Sequence, residues 1–291
     1  MSFSRLRRRD PAYPGLLAAI HDPPRELWIR GAGEADVLSR VAVAVVGARA
    51  CSSYGRAVAR TLGREIAAAR VVVVSGMARG VDGEAHRGAL DAGGCTVAVL
   101  GCGIDRDYPA AHAELAARIC EHSLVVSEYE AGVEPAPWRF PARNRIISGL
   151  ARAVVVVEAR ERSGALITVD FALEQGRDVL VVPGEITSAL SAGSNALLRL
   201  GAAPALSVDD VLDAVGLVAE KPTVEAPTGD AGVLFSALRD APATADELAR
   251  STGLAAADVA SLLVGLELDG RVFAGDGVYR VVQGGDVRVA T

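Results

Sequence analysis

The chain has 291 residues, of which 51% are hydrophobic and 23% charged, so it can bury a core and is not intrinsically disordered. Its net charge of −6 excludes a protein that is basic overall, and any site for a polyanion must therefore be local. No apolar run approaches the roughly 18 residues of a membrane span, and the four cysteines form no CxxC pair, so we expect a cytoplasmic protein with reduced thiols.

The first 40 residues contain several prolines and little periodicity. The basic N-terminus precedes an apolar run, GLLAAI, that is too short for a secretory signal. We therefore predict a short lead-in over residues 1–40 rather than a separate domain.

Six short apolar runs follow the lead-in. They are VAVAVV (41–46), VVVVS (71–75), TVAVL (96–100), LVVS (124–127), AVVVVEA (153–159) and VLVVP (179–183). Each run is nearly continuous, as in strands that are buried on both faces of a parallel sheet. Because the intervening segments have helical spacing, we predict an α/β domain over residues 41–215. Ligands of such sheets bind at the carboxyl ends of the strands.

The loop after the first predicted strand, GARACSSYG, lacks the GxGxxG fingerprint of dinucleotide-binding folds. Gly47 nevertheless allows a tight turn and a close backbone approach, and Ser52 or Ser53 can cap the following helix. Arg49 projects from this turn at the sheet edge. Its alternative interpretation is an ordinary solvated arginine.

The loop after the second strand, SGMARG, has the features of an anion site. Ser75, Gly76 and Gly80 leave backbone amides exposed where a helix begins, and Arg79 adds a positive charge. Such amides bind phosphate readily.

Asp82 and His86 lie four residues apart at the start of that helix and suggest a metal pair. A third ligand at a matching spacing is missing. We therefore favour a capping aspartate with a packed histidine, and we predict no metal site.

The stretch WRFPARNRIISGLA (138–151) combines aromatic and cationic side chains. Arg143 and Arg145 are about 200° apart around a helix axis, so both cannot face one ligand. We predict that one contacts phosphate, while the other pins a neighbouring strand or an acidic partner. Asn144 lies between them and belongs to the predicted site. Phe140 is interpreted as a base-stacking residue, with inward packing as a hydrophobic staple as the alternative.

The loop after the fifth strand offers a further anion cradle, since Ser163 and Gly164 begin a helix directly after that strand. Glu158, at the strand end, is predicted to orient an arginine. Only His86 is placed near these loops among the histidines, so we predict no catalytic residue. The predicted sheet edge thus suits a flexible polyanion that carries flat bases.

The remaining chain divides into a linker over 216–230, a small domain over 231–283 and a tail over 284–291. The small domain shows three helical patterns and a hairpin, which resemble a winged helix. Thr244 and Glu247 have the spacing of a capping box.

The expected groove-reading helix of this domain covers roughly 256–268. It contains Asp258 and Glu267 but no arginine, whereas a helix that reads a DNA groove needs cationic or amide side chains. We therefore favour a protein-contact module, with a DNA reader as the alternative.

Seven motifs occur in uninterrupted order between about residues 10 and 215. They are VVGAR, SGMARGVDGEAHRGAL, GCGIDRDYP, SEY, FPARNRIISGLA, VVVEARERSGALITVDFALEQGRDVLVVPG and SAGSNALL. Together they resemble the DprA/Smf family of bacterial DNA-processing proteins. The resemblance implies an extended Rossmann-like, three-layer domain that binds single-stranded DNA. It also implies a homodimer that loads the RecA recombinase during natural transformation, without a cofactor.

The resemblance further implies that Arg49, Phe140, Arg143 and the glycine loops line the DNA pocket. Two small departures are Ala48, where the family often has serine, and Ser194, where it often has cysteine. An N-terminal helical domain common in the family is absent or reduced to the lead-in. The complete predicted DNA-binding set is Gly47, Arg49, Ser75, Gly76, Arg79, Gly80, Phe140, Arg143, Asn144, Arg145, Ser163 and Gly164.

A nucleotide phosphoribohydrolase is the alternative function. Such Rossmann-like enzymes carry a PGGxGT signature with a downstream glutamate, whereas VPGEITS here stops after one glycine. We therefore predict a DNA-binding protein that is not an enzyme.

Overall fold

The computed structural model describes residues 3–217, 227–275 and 277–281. The chain divides into two units, Met1–Ala219 and Glu220–Thr291. The predicted linker over 216–230 includes residues 218–226, which lie outside the described residues, as does the whole predicted tail over 284–291.

The first unit contains nine strands and eight α-helices among its described residues. The strands are β1 (Ser4–Arg7), β2 (Glu26–Arg30), β3 (Ala42–Val46), β4 (Val72–Ser75), β5 (Thr96–Leu100), β6 (Leu124–Ser127), β7 (Ala153–Val156), β8 (Asp178–Val181) and β9 (Ala203–Pro204). The helices are α1 (Gly15–Ala18), α2 (Ser53–Ala68), α3 (Val81–Asp91), α4 (Ala113–His122), α5 (Arg139–Leu150), α6 (Gly164–Glu174), α7 (Ala192–Arg199) and α8 (Val208–Ala214).

The strands form one sheet in the order β1-β2-β6-β5-β4-β3-β7-β8-β9. Strands β3 to β9 run parallel, and the six predicted strands are confirmed as β3 to β8. Val43, Val73 and Val97 are at most 1% exposed, which explains why these strands read as continuous apolar runs.

Helices cover both faces of the sheet and give the predicted three layers. Successive strand residues point to opposite faces, and each face has its own buried cluster. Leu17 of α1, Ile146 of α5 and Val169 of α6 belong to one cluster. Ile66 of α2 and Ala85 of α3 belong to the other.

Residues 1–40 differ from the predicted lead-in because they contribute two strands to the sheet. Strand β1 pairs antiparallel with β2, and β2 pairs antiparallel with β6. Leu6, Leu27 and Ile29 are buried in the same cluster as the parallel strands. Residue 40 is therefore not a boundary between a lead-in and the domain.

The second unit has three helices and a hairpin among its described residues, as predicted for a winged helix. The elements are α9 (Gly229–Asp240), α10 (Ala245–Thr252), α11 (Ala256–Leu268), β10 (Val272–Gly275) and β11 (Val278–Val281). The Thr244 and Glu247 capping box is confirmed, because each side chain accepts a bond from the other's backbone N–H.

Helix α11 matches the predicted groove-reading helix, and Asp258 and Glu267 are both exposed on it. Its assignment to a protein contact stays a prediction. No single helix in the described ranges is long and apolar enough to span a membrane; α10 and α11 reach that length only together, across a bend of 117°.

The partly buried Glu65 and the fully buried His86 should affect stability in opposite directions between pH 4.5 and 6.5. Burial raises the pKa of Glu65 to about 7, so its contribution to stability is lost as the pH rises from 4.5 towards 7. Burial lowers the pKa of His86 to about 3, so its contribution is lost as the pH falls from 6.5 towards 3. Each slope is at most about 1.4 kcal/mol per pH unit, and the two oppose each other.

Burial also raises the pKa of Asp82, which acts in the same direction as Glu65. We therefore expect Glu65→Gln to make the slope of the free energy of unfolding against pH more positive than in the wild type between pH 4.5 and 6.5. The matched variant His86→Gln should show a fall over the same window. Urea unfolding at three pH values measures both slopes. If the slope of Glu65→Gln is no more positive than that of His86→Gln, the assignment is wrong.

Candidate functional site

The carboxyl ends of β3 and β7 border an open cavity of about 340 Å³. Strand β3 lies between β4 and β7 in the sheet. The strands that follow β3 in the chain are added first on the β4 side and then, from β7 onwards, on the other side, so the strand order reverses at β3. Open α/β sheets hold ligands at such a switch point. The polar and aromatic residues that line the cavity are Arg49, Asp82, Phe140, Arg143, Asn144, Arg160, Arg162, Ser163 and Thr168.

The loop after β3 packs closely against its surroundings. A Cβ at Gly47 would lie 2.6 Å from Val81 and 3.0 Å from the Glu158 carbonyl oxygen, so this position needs glycine. Ser52 caps α2 as predicted, because its hydroxyl accepts a bond from the Gly55 N–H at 3.0 Å. The loop is thus held firmly at the mouth of the cavity.

Glu158 corrects one prediction, because its carboxylate does not orient an arginine. It accepts bonds from the Ser52 N–H at 2.8 Å and from the Ser52 hydroxyl at 2.6 Å. The buried carboxylate therefore fixes the start of α2, which lies next to β7 in space but 106 residues away in the chain.

Phe140 lies half-buried at the cavity and contacts two side chains. Its ring stacks on Tyr108, with 5.0 Å between centroids and 24° between planes. The guanidinium of Arg49 lies 5.6 Å from the Phe140 centroid, within cation–π range. Arg49 is exposed, and it makes no ion pair with any residue that the structure describes. Tyr108 was not predicted, because its loop gave no sign of facing Phe140.

Arg143 is only 6% exposed and forms the back of the cavity. Its Nη1 donates to the carbonyl oxygens of Gly76, which follows β4, and of Val99, the penultimate residue of β5. Its Nη2 lies 4.0 Å from the Asp82 carboxylate. Burial lowers the pKa of Arg143 to about 10 and raises the pKa of Asp82. Arg143 therefore ties two strand ends to the site.

The loop after β4 corrects the predicted anion site, because Ser75 and Gly76 are buried and do not leave their backbone amides exposed. Ser75 is fully buried, and its hydroxyl donates to the Val45 carbonyl oxygen at 2.7 Å. His86 is the predicted packed histidine, with Nδ1 at 2.7 Å from the Thr96 hydroxyl. Asp82 is not the predicted helix cap, because Gly80 is the N-cap of α3. Arg79 is exposed but does not line the cavity.

Arg145 takes the pinning role that the helix geometry predicts for one of the two arginines. It forms two bonds to the Glu128 carboxylate, at 3.0 and 2.6 Å, and one to the Asp22 carboxylate at 3.1 Å. Asn144 donates to the Gly164 carbonyl oxygen at 3.1 Å and so joins α5 to α6. A phosphate contact by Arg143 stays a prediction.

The start of α6 forms an open part of the cavity wall. Ser163 caps the helix by accepting a bond from the Ala165 N–H at 3.3 Å, and nothing lies within 4 Å of a Cβ at Gly164. Arg160 and Arg162, both exposed, line the cavity beside it. Sequence reasoning missed these two, although the motif ARERSGA places them directly after β7.

Gly80 holds the loop after β4 against the loop after β3. Its φ is +77°, and a Cβ there would lie 2.3 Å from the Ala48 carbonyl oxygen. We expect Gly80→Ala to lower the free energy of unfolding by about 2–4 kcal/mol, of which backbone strain at the positive φ supplies about 1–3 kcal/mol. Gly93→Ala is the control, because Gly93 has a φ of +65° with open space around it. Chemical denaturation that gives equal losses would show that the close approach is unimportant.

Family models match both units of the chain. The model of DNA recombination-mediator protein A matches residues 4–216, and the DprA winged helix domain matches residues 218–277. DNA processing protein DprA of Streptococcus pneumoniae is 46% identical over 213 residues, which are 72% of this chain and 73% of the relative. A putative DNA processing protein DprA of Mycobacterium tuberculosis is 44% identical over 271 residues, or 90% of this chain and 70% of the relative.

Two solved structures share the fold of the first unit. The X-ray structure of DprA from S. pneumoniae has a TM-score of 0.70 and 44% identity, and the match covers 73% of this chain and 74% of that one. The DprA structure from Helicobacter pylori, which concerns its single-stranded DNA binding mode, has a TM-score of 0.66 and 29% identity. That match covers 73% of this chain and 95% of the other.

Proposed function

The chain belongs to the DNA recombination-mediator protein A family, also called DprA or Smf, and from this we propose that it binds single-stranded DNA at the β3–β7 cavity. One observation carries the proposal. Three exposed arginines, a helix N-terminus and the ring of Phe140, which stacks on Tyr108, border one cavity. Single strands are held by this combination of cationic groups and ring faces.

In this proposal Arg49, Arg160 and Arg162 contact phosphates, and the amides at the start of α6 hold one phosphate at the positive end of the helix. Phe140 stacks on a base, with its ring already positioned by Tyr108. The remaining predicted residues fall into two groups. Those that line the cavity are Gly47, Arg143, Asn144, Ser163 and Gly164, and those outside its lining are Ser75, Gly76, Arg79, Gly80 and Arg145.

The proposal extends to a homodimer that loads the RecA recombinase in natural transformation and acts in the cytoplasm. Membership of the family supports these points. We also propose that the protein is not an enzyme, because the sequence lacks the PGGxGT signature of phosphoribohydrolases. Release of a free base from a nucleoside monophosphate by the purified protein would favour the enzyme instead.

Fluorescence anisotropy with labelled single strands of increasing length tests the binding function. We expect tighter binding to single strands than to duplex, and an affinity that falls linearly with salt on logarithmic axes. Light scattering on the same complexes counts protomers per strand. Equal affinity for single strands and duplex, or no binding at low salt, would refute the proposal.

A further inference from the structure

A second group of aromatic rings lies beside the cavity but does not line it. Trp138 precedes α5 and is 62% exposed, which is unusual for so large an apolar side chain. Tyr129 meets it edge to face, with 6.5 Å between centroids. The Arg139 guanidinium lies 4.8 Å from the Trp138 centroid and 5.0 Å from the Tyr129 centroid. We call these three residues the tryptophan platform.

Backbone and side-chain contacts hold this platform in place without DNA. The Tyr129 N–H donates to the Ser127 hydroxyl at 3.0 Å, which anchors the ring just after β6. Arg139 Nη1 donates to the Glu134 carbonyl oxygen. Because its supports are already ordered, the exposed Trp138 ring can accept a stacking partner at a small entropic cost.

The platform continues the line of the proposed DNA site along the same sheet edge. Phe140 packs over Gly101, which directly follows β5, whereas Tyr129 follows the neighbouring strand β6. Neighbouring strands are about 4.8 Å apart, and stacked nucleotides rise about 3.4 Å each along one strand. A step from one strand end to the next is comparable to the reach of consecutive nucleotides, so one DNA strand can pass from Phe140 to Trp138.

Charges around the platform favour a base rather than a phosphate. Glu130 and Glu134 are both exposed nearby, and Glu134 pairs with Arg106 at 2.6 Å. Arg139 lies between the two rings. The platform thus lacks the cluster of exposed arginines that surrounds the cavity.

We propose that the tryptophan platform is a second base-stacking site, in which Trp138 stacks on a nucleobase of the strand that occupies the β3–β7 cavity. This inference rests on the proposed function. On this proposal the DNA strand follows a path across the sheet edge, from the arginine-lined cavity past Phe140 to Trp138. The energy of this site comes from stacking, so it adds affinity without adding a phosphate contact.

The first test compares two substitutions of Trp138 in the full chain, with oligo(dT) as the probe. Trp138→Leu keeps apolar bulk but removes the ring, and should weaken binding about fivefold or more. Trp138→Phe keeps a ring face and should stay within about threefold of the wild type. The slope of log affinity against log salt should match the wild type in both variants, because no phosphate contact is removed.

The second test leaves Trp138 intact. The chain has only two tryptophans, so Trp28→Phe makes Trp138 the sole indole fluorophore. Saturation of this variant with oligo(dT) should quench its emission, as a stacked base contacts the ring.

Unchanged emission and unchanged affinity of Trp138→Leu, with normal DNA binding by the wild type, would overturn the platform and leave the proposed function standing. A smaller salt slope in Trp138→Leu would also overturn it, because that result indicates a phosphate contact. Absence of binding by the wild type would overturn the proposed function and the platform together.

Discussion

Replacing Arg49 and Arg162 together by alanine is expected to weaken the binding of single-stranded DNA about 100-fold or more at low salt. Hydrogen bonds to charged groups contribute about 1.5–3 kcal/mol each, and two are lost. The slope of log affinity against log salt should also become shallower by about 1.4, which is the effect of two phosphate contacts on a single strand. Fluorescence anisotropy between 50 and 200 mM salt measures both quantities.

The protein should tolerate this double substitution. Arg49 and Arg162 are exposed, and neither forms an ion pair with the described residues, so their removal leaves no buried charge unpaired. We expect the free energy of unfolding to change by less than about 0.5 kcal/mol for each substitution. Loss of binding can then be attributed to the site rather than to unfolding.

The chain offers a matched control at the opposite edge of the same two strands. Arg40 precedes β3 and Arg152 precedes β7, whereas Arg49 and Arg162 follow these strands. Arg40 and Arg152 are both exposed. Arg40→Ala with Arg152→Ala removes the same charge and should leave affinity within about threefold of the wild type. If the control pair loses as much affinity as Arg49 with Arg162, binding depends on total charge and the site is wrong.

Arg143→Ala should act mainly on stability, with an expected loss of about 3–5 kcal/mol in the free energy of unfolding. Arg143 is buried and bonds to the carbonyl oxygens of Gly76 and Val99, so the variant leaves both acceptors without this donor. It also removes the nearest positive charge from the buried Asp82. Chemical denaturation of the variant and of the wild type measures the loss.

A double-mutant cycle separates the charge effect from the lost packing. Asp82→Asn keeps an oxygen that can accept the Ala78 N–H bond but removes the acidic group. In the Arg143→Ala background, it should restore part of the lost stability. If the two single losses add within about 0.5 kcal/mol, Arg143 and Asp82 do not interact and the account of the buried pair is wrong.

Structural features that depend only on residues close together in the chain could be predicted from the sequence. The valine and alanine runs of β3 to β8 identify buried strands, because every residue of such a strand is apolar whichever face it meets. The caps at Ser52, Ser163 and Thr244 are local too, since each accepts a bond from a residue two or three positions later. Because Arg49, Ser163 and Gly164 follow the carboxyl ends of predicted parallel strands, the sequence also predicts that they lie on one edge of the sheet.

The long-range partners of each arginine came only from the folded chain. Arg143 bonds to Gly76 across 67 residues, and Arg145 bonds to Asp22 across 123. Helical spacing separates the two arginines but does not identify which carbonyl or carboxylate each one meets. The exposed Arg160 and Arg162 were missed for the same reason, as nothing in ARERSGA distinguishes a free arginine from a paired one.

The hydrophobic periodicity of a segment indicates which of its residues face the core and which face solvent. The α/β architecture, the helix starts and the loops that carry the site can therefore be predicted from the sequence. The order of the strands in the sheet does not follow from the sequence. Strand β3 lies between β4 and β7, and the free energy of these pairings depends on segments that are distant in the chain. Burial of Arg143 and exposure of Arg49 are likewise consequences of that packing. The charge available to a phosphate is therefore a property of the assembled sheet edge.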